Sequence, residues 1–325
     1  MKALVLRQAG DKPDMAVEDR SIPEVQKGFS LVRMHAATVN PLSNWIRKGI
    51  ISEGVTTPLV LSNDGVGLIE QSDVFAEKTP VLIYGGGQLG ISQDGLQQQW
   101  VSIENDRLIA VQEGVDLDAA AALAINYLTA YQALHRVGSV AAGQTVLIAG
   151  ASGSVGHALI QLCVAIGARP IGIVSTSNKA QQVLDSGAIA VIDCSNESVS
   201  AVVAEITDGA GVDWAFDVVG GPGLRDLVLA LRQRGSVVCI GFSGSTQGSF
   251  DVADLVIHEK RVLGYDAHLE TDLDVQQVLS HLMTLAADGA IAPRIDSRFV
   301  ISDYAKAYAR LESRKATGTI LIDLN

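Results

Sequence analysis

"VLIAGASGSVGHALIQLC", residues Val146 to Cys163, holds the clearest structural signal in the chain. An apolar run stops at a cluster of glycine and serine, then apolar residues return at helical spacing. This reads as strand, tight turn, helix. The same alternation continues downstream. "RPIGIVST", "IAVIDC", "VDWAFDVVG", "SVVCIGF" and "RVLGYDA" read as strands. Between them, "NKAQQVLDSGA", "ESVSAVVAEITDGAG" and "PGLRDLVLALRQRG" read as helices. A run of βαβ units predicts a parallel, doubly wound sheet.

Upstream the pattern is different. "MKALVLR", "FSLVRMHAATV", "LVLSNDGVGLIE" and "TPVLIYG" are short apolar or alternating runs broken by Gly, Pro, Asn and Asp, which reads as β-structure with little helix. The opening "MKALVLR" is read as a strand, not a signal peptide. "DLDAAAALAINYLTAYQALHRVG" is a helix with acids at its start and Gly138 at its end. After the βα series come two helices, "TDLDVQQVLSHLMTLAADG" and "DYAKAYARLESRK", and strands around "RIDSRFVI" and "GTILIDL". These do not extend the βα rhythm and are assigned back to the first domain. The fold class is therefore α/β, with a nucleotide-type domain over 122–265 inserted between residues 1–121 and 266–325 of the other domain.

A parallel sheet binds ligands beyond the carboxyl ends of its strands. The turn after the first strand has the three positions of a dinucleotide fingerprint at Ala151, Gly153 and Gly156. Gly153 admits a pyrophosphate close to the backbone, and Gly156 lets helix and strand pack. Ser152, Ser154 and Val155 complete the loop, and the helix N-terminus offers N–H groups and a partial positive charge. With Ala at the first position, the competing reading is a βα turn of small residues made for packing alone. An NAD site places an acid about 20 residues on, at the end of the second strand. Here "GIVSTSNKA" has none. Ser175, Thr176 and Ser177 offer hydroxyls and Lys179 a positive charge, so the predicted cofactor is NADPH. The competing reading makes Ser177 a helix cap.

Composition excludes several classes. Apolar residues are 48% and charged residues 18%, the balance of a packed globular chain. Lys plus Arg number 24 against 36 Asp plus Glu, a net charge of −12 with no basic run, which disfavours nucleic acid. No apolar stretch reaches the roughly 18 residues of a membrane span. Cys163, Cys194 and Cys239 are widely spaced and odd in number, so neither a disulfide framework nor a Cys-x-x-Cys pair is expected, and the expected location is the cytoplasm.

Over nearly its whole length the chain resembles the medium-chain dehydrogenase/reductase superfamily, in its zinc-independent, quinone oxidoreductase-like branch. The resemblance lies in "MKALVL", "HAATVNPLSNWIRKG", "AAALAINYLTAYQAL", the glycine turn, "FDVVGGPGL", "RGSVVCIGFSG" and "FVISDYAKAYARLESRKATGTILI", in that order. It implies a GroES-like β domain with an inserted Rossmann domain and an active site in the cleft between them. It also implies hydride transfer from NADPH to a quinone or an α,β-unsaturated carbonyl, and a homodimer paired through the Rossmann domains. Zinc-containing relatives carry Gly-His-Glu and a catalytic cysteine in the first domain. Here "SNDGVG", with Asn63, Asp64 and Gly65, stands at that motif, no cysteine precedes Cys163, and His35 and His135 are the only histidines before residue 150. No metal is expected.

By the resemblance, Asn40 and Thr129 face the nicotinamide. Val219, Gly220, Gly241 and Phe242 give backbone contacts at strand ends, and Arg314 reaches the 2′-phosphate. The competing readings are an Asn-Pro turn, a Thr bonded to its own helix, ordinary βα turns and a solvated arginine. Trp45 stands where many relatives have a proton-donating tyrosine, and an indole N–H is no practical acid. Cys194 replaces a tyrosine that contacts the 2′-phosphate in relatives. Tyr127 is a substitute donor or, alternatively, a core residue. A non-catalytic NADPH-binding protein of the same fold is the alternative function.

Overall fold

The computed structural model describes all of residues 1–325, which fall into two compact units. One comprises Met1–Leu128 and His268–Asn325, the other Thr129–Ala267.

The first unit begins with strands β1 (Lys2–Gln8), β2 (Asp14–Asp19) and β3 (Phe29–Val39), then helix α1 (Pro41–Arg47). Strands β4 (Leu59–Val60), β5 (Asp64–Gln71), β6 (Pro80–Tyr84), β7 (Trp100–Glu104) and β8 (Leu108–Ala110) follow, and helix α2 (Leu117–Gln132) starts in this unit. β2, β1 and β4 form a three-stranded sheet. The alternating pattern of the early strands faces a shared core that includes Leu4, Leu6, Met34, Ile46, Ile83 and Tyr308. Each such apolar side chain contributes about 1.5–3 kcal/mol when fully buried.

Helix α1 occupies the segment for which an Asn-Pro turn is the competing reading of Asn40. Asn40 is its N-cap: the side-chain Oδ1 accepts the Ser43 N–H at 3.0 Å, and Ser43 Oγ accepts the Asn40 N–H at 3.3 Å. Pro41 stands in the first turn, where its missing N–H costs nothing. A cap Asn followed by Pro, with Ser three residues on, was the signal for a short helix.

The second unit is a six-stranded, wholly parallel sheet built from β9 (Thr145–Ala149), β10 (Arg169–Val174), β11 (Ala190–Asp193), β12 (Val212–Asp217), β13 (Leu231–Cys239) and β14 (Arg261–Gly264). Helices α3 (Ser154–Ala165), α4 (Ala180–Asp185), α5 (Val199–Ile206), α6 (Leu224–Ala230) and α7 (Val252–Ile257) connect them. The strand order is β11-β10-β9-β12-β13-β14. The chain therefore starts in the middle, runs out to one edge and returns to build the other half, so a switch point lies beside β9. This is the doubly wound sheet that the βαβ rhythm predicts. Its core includes Leu147, Ile171, Ile192, Val203, Ala215 and Val237.

One boundary differs from the sequence reading. The helix expected through "LVLALRQRG" stops at Ala230, because Leu231 pairs with Val212 and opens β13. Strand pairing overrides the local helical pattern there.

The first unit closes with α8 (Asp272–Ala287), β15 (Ile295–Val300), α9 (Tyr304–Glu312) and β16 (Thr319–Asp323). β16 pairs antiparallel with β3. It joins a larger sheet of order β15-β16-β3-β5-β6-β8, with β7 also pairing β3.

Candidate functional site

In the second unit the named loops all follow the carboxyl ends of parallel strands. The glycine loop follows β9, and its conformational requirement falls one residue earlier than the fingerprint places it. Gly150 has φ +68°, and a Cβ there would sit 2.7 Å from Val218 Cγ2. Ala151, 1% exposed, keeps an ordinary backbone and donates its N–H to the Ile173 carbonyl. The turn that an Ala at the first position left unexplained is thus made by Gly150.

Gly156 is required by packing: a Cβ would lie 2.3 Å from the Gly150 carbonyl oxygen and 2.7 Å from Ala151 Cα. Gly153 is different. Its φ of −80° suits any residue, and a Cβ would meet nothing nearer than Gly150 O at 3.4 Å. Neither strain nor packing within the chain asks for glycine here. Gly153 is also the N-cap of α3 and supplies no side-chain hydrogen bond. The first-turn N–H groups at Val155 and Gly156 have no intrahelical acceptor. Bare backbone, open space and a helix N-terminus fit a pyrophosphate. Ser152 is buried, with its carbonyl taking Gln182 Nε2 at 3.3 Å, and Ser154 is half-buried.

After β10, Ser175, Thr176 and Ser177 are exposed and Lys179 is half-buried. Thr176 Oγ1 donates to Asn178 Oδ1 at 2.5 Å. After β12, Asp217 shapes the loop: one carboxylate oxygen accepts the N–H groups of Val219 at 2.9 Å and Gly220 at 2.8 Å. The next strand's loop is laced to it. Ile240 and Gly241 donate to the Asp217 carbonyl, and Gly244 donates to the Val219 carbonyl. Gly241 has no room for a Cβ, which would fall 2.3 Å from Val218 O. Phe242 is 39% exposed beside it. Asp217 escaped the sequence reading, although an acid just before a Val-Val-Gly-Gly turn is the residue type that caps such turns.

Thr129 belongs to the second unit and is 7% exposed. Asn40, Trp45 and Arg314 belong to the first. Arg314 is exposed just beyond α9, at φ +56°. Trp45 is half-buried on α1. Asn40 is fully engaged. Besides capping α1, its Nδ2 lies 3.3 Å from Thr38 Oγ1 and 3.2 Å from both Asn63 Oδ1 and Asp64 Oδ1.

This cluster surrounds a buried acid. Asp64 is 0% exposed, and its Oδ1 also accepts the Thr38 hydroxyl. Its Oδ2 has no hydrogen-bond partner, nor has Asn63 Nδ2. Burial raises the carboxyl to about 7, against the lowering effects of Thr38, the Ile125 backbone and Asn40. Tyr127, 1% exposed, is pushed well above the usual tyrosine range by burial, so it is a core residue and a poor proton donor.

The family model described as zinc-binding dehydrogenase matches residues 154–284. The chain is 27% identical to a quinone oxidoreductase of Pseudomonas aeruginosa over 300 residues, 90% of each chain. Two solved structures share the fold over nearly all of both chains. One is an NAD-dependent alcohol dehydrogenase, with a TM-score of 0.90 and 23% identity over 100% of each chain. The other is mycobacterial Rv1454c complexed with NADPH, with a TM-score of 0.88 and 23% identity over 99% of each. Over nearly its whole length the chain is similar to quinone oxidoreductases of the medium-chain dehydrogenase/reductase type. These relatives support an oxidoreductase. The zinc in the family model's description finds no fit in these residues: no three His, Cys, Asp or Glu side chains converge.

Proposed function

We propose that this chain reduces a quinone or an α,β-unsaturated carbonyl with NADPH, without a metal ion. Gly153 carries the reading: it is a glycine that the fold itself does not need, at a helix N-terminus with no side-chain cap. When bound, NADPH supplies the hydride. Backbone groups of Ala151 to Gly156 hold the diphosphate. Ser175, Thr176, Ser177 and Lys179 take the 2′-phosphate, and the laced Val219–Gly220 and Gly241–Phe242 loops line the nicotinamide end. In the first unit, Asn40 fixes the start of α1, and Trp45 on that helix offers a flat apolar face suited to a ring or an enone. Burial makes Tyr127 a poor acid, and the proton is collected from another side chain or from solvent.

Loss of reduced-nicotinamide absorbance with 1,4-benzoquinone or a small enone tests the reading. Folded protein that binds NADPH but turns over neither class of acceptor would be a nucleotide-binding protein without this activity. Lys179→Ala is expected to weaken NADPH about tenfold and leave NADH unchanged, the loss of one charge-assisted hydrogen bond. Equal effects on both nucleotides in parallel titrations would reject Lys179 as the 2′-phosphate contact.

The reading includes a homodimer and a reducing, cytoplasmic location. The three cysteines are free thiols, and no helix is long and apolar enough to cross a membrane. β14 is an edge strand, and on α7 next to it in sequence Val252, Val256 and Ile257 are 64%, 68% and 70% exposed. An open edge beside exposed apolar side chains favours pairing between copies. A monomer mass by sedimentation at micromolar concentration would remove the dimer.

A further inference from the structure

The segment Ser175–Lys179 carries no acid in sequence, yet the fold brings one to it. Asp193 ends β11 and is the registered neighbour of Val174, the last residue of β10. The residue is 8% exposed. Its Oδ1 accepts the Ser195 N–H at 3.0 Å and the Ser195 hydroxyl at 2.7 Å, and its Oδ2 accepts Asn196 Nδ2 at 3.0 Å. The backbone N–H of Ser177 adds a smaller lowering effect on this carboxyl. The Ser195 hydroxyl foremost, with these other donors, holds the carboxyl below the usual aspartate range, so the charge is present throughout the neutral region. The Cys194 N–H donates to the Val174 carbonyl at 3.0 Å, which ties the two strand ends together. The hydroxyl loop and the carboxylate are thus one structural unit.

We propose that Asp193 is a specificity-determining residue at the adenosine end of the nucleotide site: held in register with Val174, it places a negative charge beside the loop that follows β10, opposing a 2′-phosphate and tolerating a 2′-hydroxyl. The inference rests on reading Ser175–Lys179 as the 2′ end of the site. A phosphate monoester carries about −1.5 to −2 charge at pH 7. A fixed carboxylate near it works against Lys179, so the cofactor preference is a balance between two opposed charges. An Asp at the end of the second strand would instead accept the ribose 2′-OH directly. Asp193 sits one strand further out, and its oxygens are occupied by Ser195 and Asn196. Its effect on the nucleotide is therefore that of charge and loop geometry.

The experiment is a fluorescence titration of wild type and Asp193→Asn with NADPH and with NADH, at low and high ionic strength. Asn keeps the Oδ1 acceptor for Ser195 and removes the charge. The preference for NADPH over NADH is expected to rise at least threefold in Asp193→Asn at low salt. The gain should shrink at high salt, where the screening length falls to a few ångströms. Asp193→Ala, which also releases Ser195 and Asn196 and loosens the turn after β11, is expected to weaken both nucleotides. A preference unchanged within twofold in Asp193→Asn, or moved toward NADH, overturns the proposal. If wild type binds neither nucleotide, the functional reading itself fails. If wild type binds and Lys179→Ala loses NADPH selectively while Asp193→Asn changes nothing, only the role of Asp193 fails.

Discussion

Gly153→Val is expected to leave the protein folded and to weaken nucleotide binding at least tenfold, whereas Gly156→Ala damages fold and binding together. The contrast follows from what each Cβ meets. At Gly153 the nearest atom is 3.4 Å away and the backbone is ordinary. The cost to the fold is a poorer N-cap, about 1 kcal/mol. The valine side chain then stands in the open space above α3, where a diphosphate would lie. A tenfold loss is about 1.4 kcal/mol, a modest demand for excluding a group that contacts backbone. At Gly156 the new methyl meets backbone at 2.3 and 2.7 Å, which no rotamer can relieve. The helix must move off the loop, at a cost on the order of 1–3 kcal/mol or more. Thermal melts and NADPH titrations of both variants separate the two effects. Unchanged affinity in a well-folded Gly153→Val would show that this loop holds no phosphate, and the reductase reading would fall with it.

Asp64→Asn is expected to stabilise the protein above neutral pH and to do little below about pH 4. The folded-state value of about 7 lies above the ordinary 3.8, so the folded protein holds this proton more tightly than the unfolded chain does. The stabilising contribution is complete below the unfolded value and is lost as pH rises through the folded one. Between about pH 4 and 7 the wild type therefore gives up stability, on the order of 4 kcal/mol at about 1.4 kcal/mol per unit. Asn fits the same space, keeps an acceptor for Thr38 and Asn40, and does not titrate. The mutant-minus-wild-type stability should climb through that window and level off above it. Chemical denaturation at several pH values measures this directly, and a difference that stays flat from pH 5 to 8 would show that Asp64 is not the buried neutral acid described here. The same cluster caps α1 through Asn40, so the titration reaches the helix that carries Trp45.

Much of the second unit was legible in the sequence, and for a local reason. Period-two and helical spacings, with Gly at the turns, are properties of short stretches, so the alternation from Val146 onward specified a parallel sheet and the position of its glycine loop. The Leu231 boundary failed because β13 is held by Val212, a residue that the local helical pattern does not include. The α1 helix carries its capping signal locally, in Asn40, Pro41 and Ser43, where the pattern also admits an Asn-Pro turn. In the nucleotide loop, Ala151 looked like a defect until Gly150 was seen at φ +68°.

The sequence by itself determined the two-part α/β plan, the glycine turn and the absence of an acid at the end of β10, because each depends on neighbours along the chain. Only the tertiary structure decided that Asp193 stands beside Val174 at the end of β10, that Asp217 organises the loop after β12, and that Asp64 is sealed in with one oxygen unpaired. The charge state of a carboxyl and the partners of a hydrogen bond are set by groups distant in sequence and by the exclusion of water, and those exist only once the strands have assembled.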